Sequence, residues 1–123
     1  MGAIQMKNVL VISQHSPFDD QHIRDSLDTT LIFAAIEQNI SWLLSGEAVL
    51  ALKKNQQPEQ LGIKNYFKTI KTLELYDVEN IYVCEKSLID FNLTKDKLII
   101  DVKVASFEQQ RHLISQQDQV VTL

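Results

Sequence analysis

The 123-residue chain reads as an α/β protein, a three-layer α/β/α sandwich around a mostly parallel five-stranded sheet. Two patterns predict this. Short apolar runs rich in β-branched residues recur along the chain, too short for helices and too continuous for one-sided strands, as in sheets covered on both faces. Between them lie segments with apolar residues at helical spacing, and strands alternating with helices imply parallel crossover units. The length fits one domain able to bury its own core. Residues 7–123 are read as that domain, and residues 1–6 as a tag or disordered start, with Met1–Gln5 an expression remnant before a natural start at Met6.

Asn8–Ser13 is the first apolar run and the first expected strand. A polar loop with Pro17 follows, in which Asp19 or Asp20 is placed to cap the next helix. That helix is expected over His22–Asn39, with Ile23, Leu27, Leu31, Ala34 and Ala35 facing the sheet. Ile32, Phe33 and Ile36 point elsewhere. A helix apolar on two sides needs a second surface to bury against, either another subunit or neighbouring elements of the same chain.

Ile40–Leu44 is the second strand, after which Gly46 turns the chain into a short helix over Glu47–Leu52. Residues 53–62 are polar, contain Pro58 and read as a surface loop. Ile63, Tyr66, Phe67, Ile70 and Leu73 make one face of a further helix, with Lys64, Lys68, Lys71 and Glu74 opposite. The lysine row is a solvated face or a docking surface for an acidic partner. The strand Asn80–Val83 runs into Cys84 and a short helix to about Phe91. Leu98–Val102 is expected as the fourth strand, Ser106–Gln116 as a helix capped by Ser106, and Gln119–Leu123 as the last strand. The pattern does not give the strand order.

Composition narrows the function classes. Hydrophobic residues make up 45% and charged residues 23% of the chain, as in ordinary globular proteins. The net charge of −4 argues against extensive direct contact with nucleic acid. A single cysteine excludes an internal disulfide and any multi-cysteine metal centre. No secretory leader and no apolar run of membrane-spanning length occurs, so a reduced, cytoplasmic setting with no membrane partner is expected.

Cys84 is therefore the candidate site residue. It stands at the carboxyl end of a strand, where α/β proteins collect ligands, and at a helix start that favours thiolate. Lys86 is expected to favour the thiolate and Glu85 to oppose it. The plain alternative is a half-buried small residue filling the strand end. Cys84-Glu85-Lys86-Ser87 has the Cys-x-x-Ser form, without a thioredoxin-like surround. His15, Asp19, Asp20 and His22 are metal-ligand types, but capping and a polar loop account for them, and no metal or cofactor is expected. If the first and third strands are neighbours, His15 or His22 would lie beside Cys84. His112 reads as solvated surface. With three glycines and no phosphate-binding motif, nucleotide binding is not expected.

The stretch Leu75-Tyr76-Asp77-Val78-Glu79-Asn80-Ile81-Tyr82-Val83-Cys84, with Ser87-Leu88 after it, resembles the TusC/DsrF family of sulfur-relay subunits. Arg24-Asp25-Ser26-Leu27-Asp28 is similar to that family's Arg-x-Gly-Leu-Asp segment. Leu44–Val49 falls where the family has Asp-Gly-Val, although here the acidic residue and glycine are rearranged. The resemblance runs from about Lys7 to Leu123. It implies a DsrE-like fold and a place in a heterohexamer with TusB-like and TusD-like subunits. Such an assembly takes persulfide sulfur from a TusA-like carrier and passes it through a TusE-like one toward tRNA wobble 2-thiouridine. It further implies that the main carrier cysteine sits on the TusD-type subunit, leaving Cys84 an auxiliary thiol on an accessory subunit. A DsrF-like role in sulfur oxidation, direct persulfide carriage by Cys84, and a stand-alone homo-oligomeric binding or regulatory domain are the alternatives.

Overall fold

A computed structural model of the chain describes residues 7–16, 22–36, 39–53, 78 and 80–123, with side chains of 22–24 left aside. The elements are β1 (Asn8–Ser13), α1 (His22–Ala35), β2 (Asn39–Leu44), a 3₁₀ segment (Gly46–Leu52), β3 (Asn80–Cys84) and α2 (Glu85–Asp90). A 3₁₀ turn (Lys95–Lys97), β4 (Lys103–Ala105), α3 (Phe107–Ser115) and β5 (Gln119–Thr122) complete them. Residues 1–6, the Asp19/Asp20 cap, the 54–62 loop and the amphipathic segment at 63–74 lie outside the described residues.

All five strands join one sheet in the order β4-β3-β2-β1-β5, and all four pairings are parallel. Successive strands step one way from β1 to β4, then the chain returns past β1 to place β5. Right-handed crossovers put the helix before that return on the opposite face from the others. Packing agrees. Val9, Val11, Ile40, Trp42, Leu44, Ile81 and Val83 form one inner face with Leu27 of α1, Ala48 and Val49 of the 3₁₀ segment, and Leu88 of α2. Leu10, Ile12 and Leu43 meet Leu113 of α3 on the other, with Tyr82 packed against them. The alternation within β1 is the period-two rule of a pleated strand, and both faces are filled, as the unbroken apolar runs require.

Buried polar groups on α1 and β2 are paired. The Trp42 indole Nε1 donates to Ser13 Oγ at 2.8 Å, and the Thr30 hydroxyl donates to the Ser26 carbonyl at 2.8 Å. α1 ends at Ala35, not Asn39, because Asn39 already begins β2 in register with Asn8. Its buried side is also redrawn. Leu27 is buried and Leu31 and Ala34 pack on the core, but Ala35 is exposed, Phe33 turns inward, and Ser26 and Thr30 are fully buried. Ile32 and Ile36 remain outside, 62% and 48% exposed.

The fourth strand is displaced from its expected place. Leu98–Val102 does not pair with β3; Lys103–Ala105 does, with Cys84 opposite Ala105. Leu98, Ile100 and Val102 are buried by packing into the core below the sheet, with Leu98 making only an isolated antiparallel bridge to Lys53. Apolarity there serves the core and not the ladder. α2 stops in a Schellman turn: Asn92 takes a positive φ of 53°, its N–H reaches the Ile89 carbonyl, and the Leu93 N–H reaches that of Leu88. Leu88 and Leu93, both buried, supply the apolar contact such a turn favours. Ser106 caps α3 as expected, in a reciprocal box in which Gln109 N donates to Ser106 Oγ and Ser106 N to Gln109 Oε1.

Candidate functional site

Cys84 is the last residue of β3 and the residue that leads into α2. Strand alternation from Tyr82 points its side chain to the face that carries α3. Cys84 is 2% exposed, more enclosed than the half-buried residue the sequence suggests. Two segments stand against it, the first turn of α2 and the end of β4 with the start of α3; the turn after β2 reaches the first of these through Ser87.

Ser87, one turn into α2 and buried, accepts the Gly46 N–H on its Oγ at 2.8 Å. That leaves the hydroxyl proton free to donate to the sulfur. Gly46 holds the other end of this contact with φ +58°. A Cβ there would sit 3.4 Å from the Gln14 carbonyl, an ordinary contact, so glycine is required by the left-handed backbone and not by space. On the α3 side, Gln110 is buried and donates from Nε2 to the Ala105 carbonyl at 2.9 Å, which fixes its amide above Cys84's partner in the sheet.

These groups set the thiol's charge state. Burial alone pushes the Cys84 pKa up, and it is the largest single influence. Hydrogen bonds from the Ser87 side chain and the Gln110 side chain, then the backbone N–H groups of Ser87 and Lys86, together outweigh it, and the pKa lies below the ordinary thiol value. The two amides are the weaker contributors, and Cys84 makes no full side-chain capping bond to the helix. The arrangement is a buried sulfur whose pKa lies below the ordinary thiol value because of the polar groups around it.

Lys86 favours the thiolate, but only weakly. Its Nζ pairs with Asp90 at 2.9 Å on the exposed side of α2. That hydrogen bond and charge are the main reasons its own pKa is raised; the Cys84 thiolate is the smallest. Lys86 affects Cys84 through its backbone N–H. Glu85 is exposed.

His15 follows β1, which is not a direct neighbour of β3. β2 separates β1 from β3, so the condition that would have joined them fails. The His22 side chain, Asp19 and Asp20 lie outside the described residues, as do Lys64, Lys68 and Lys71. His112 is exposed on α3, where with Tyr82, Glu108, Gln109, Leu113 and Gln116 it lines an open cleft of about 430 Å³. Lys103 Nζ stands 5.6 Å from the Tyr82 ring centroid and donates to Asn80 Oδ1 at 2.9 Å. Among the described residues no group of three or more His, Cys, Asp or Glu side chains is placed to hold a metal ion, and no helix is long and apolar enough to cross a membrane.

Sequence reasoning missed Gln110 and gave Ser87 no role. The Ser87 signal was present, since the residue three past a helix-leading position faces back toward it. Gln110 carries no local signal, because its approach depends on β4 lying next to β3.

The matches to known proteins cover nearly the whole chain. The DsrE/DsrF-like family model matches residues 7–123. A curated "Protein TusC homolog" from Aliivibrio fischeri is 33% identical over 116 residues, covering 94% of this chain and 98% of that protein. The crystal structure of the ychN protein from E. coli superposes with a TM-score of 0.82 at 17% identity, covering 96% of this chain and all of the other. A Methanobacterium thermoautotrophicum protein of unknown function gives a TM-score of 0.67 at 14% identity, covering 97% of this chain and 100% of its own. At those identities the two structures speak to the fold, and they share the DsrE-like architecture.

Proposed function

The chain belongs to the DsrE/DsrF-like family, and from that premise we propose that it is a TusC-like accessory subunit of a cytoplasmic TusB–TusC–TusD-type heterohexamer. In this reading the assembly receives persulfide sulfur from a TusA-like carrier and hands it to a TusE-like one for tRNA wobble 2-thiouridine synthesis. The end-to-end match to a TusC homologue carries the assignment, because it extends over the domain and not one motif.

The enclosure of Cys84 supports an auxiliary role for its thiol. A sulfur carrier must expose its sulfur to the thiol or persulfide of another protein, whereas this one is 2% exposed under Ser87 and Gln110. One feature favours the second reading, direct carriage: the polar surroundings that lower the thiol's pKa. In that case the Cys84 thiolate attacks the terminal sulfur of a donor persulfide. A new sulfur–sulfur bond forms on Cys84, the donor's sulfur–sulfur bond breaks, and the donor leaves as thiolate.

Co-expression with TusB-like and TusD-like proteins tests the main reading. A stable mixed complex is expected; a homo-oligomer indifferent to both would overturn it in favour of a stand-alone domain. Within such a complex Cys84→Ser is expected to leave sulfur transfer unchanged. Loss of transfer, with one sulfur atom's mass found on wild-type Cys84 after donation, would establish direct carriage instead.

A further inference from the structure

We draw no further inference here: the strongest candidate, the outward apolar pair Ile32 and Ile36 on and just beyond α1, is an exposed surface, and nothing in the structure shows what covers it.

Discussion

Replacing Ser87 with alanine separates the two tasks of its hydroxyl. The side chain is buried, its oxygen accepts the Gly46 N–H at 2.8 Å, and it is the foremost of the groups that lower the Cys84 pKa. Removing one partner of a buried hydrogen bond costs about 1–3 kcal/mol. Gly46 itself is exposed, so water can replace part of what is lost and the lower end applies, about 1 kcal/mol. For a chain of this size that is a fall in Tm of roughly 3–6 °C. The second effect is on charge. Ser87 is the foremost of the groups that lower the Cys84 pKa against burial, so the variant's thiol should titrate at higher pH. A folded-state pKa below the unfolded value of about 8.5 stabilises the fold above that value. The contribution disappears as pH falls through the folded value. Ser87→Ala should therefore flatten the rise in urea-unfolding free energy between neutral and alkaline pH. Because the chain has one cysteine, carbon-13-labelled cysteine gives a single Cβ signal whose shift against pH reads the titration directly. An unmoved midpoint would refute the role of Ser87 at the thiol, and an unchanged Tm would refute its role at Gly46.

Gln110→Met keeps the side-chain volume and removes the amide that reaches Ala105. About 1 kcal/mol of stability should be lost, and the same carbon-13 titration should move to higher pH; a midpoint that stays put would place Gln110 outside the sulfur's environment. Gly46→Ala asks an L-residue to hold φ +58° and should cost about 1–2 kcal/mol in urea unfolding, with no clash to add. An unfolding midpoint equal to wild type would mean the turn is not left-handed in solution. Ser106→Ala removes one arm of the α3 capping box and should cost about 1 kcal/mol by the same measurement. Since α3 carries Gln110, its loss should also loosen amide protection across residues 107–115, and an unchanged exchange pattern would contradict that.

Strands β1, β2, β3 and β5 were legible because each apolar run is bounded by polar or turn residues and contributes to the ladder. The misplaced fourth strand shows where this reading stops. Leu98, Ile100 and Val102 alternate like a strand and are buried like one, yet their burial comes from the core beside the sheet. Hydropathy reports that a residue leaves water, not which backbone it pairs with. α1 makes the same point from the other side: Ser26 and Thr30 look solvated but are fully buried, with the Thr30 hydroxyl satisfied by the turn before it. At the site, Cys84 announced itself through the junction of strand and helix, and Gly46 through its place after a strand. The sulfur's real company was hidden, because Gln110 reaches it only once β4 lies beside β3, and Ser87 is tied to Gly46 only once β2 lies beside β3.

That assembly makes Cys84 a witness to the packing of α2 and α3 on the β3–β4 edge of the sheet. Its surroundings are drawn from the middle and the last quarter of the sequence, so no fragment ending before α3 can reproduce them. Reaching the sulfur requires the packing around it, the first turn of α2 and the start of α3 against β4, to open. The rate at which a small alkylating reagent captures the thiol therefore tracks how often those layers separate. One atom, counted with a simple reagent, reports how tightly that edge is closed.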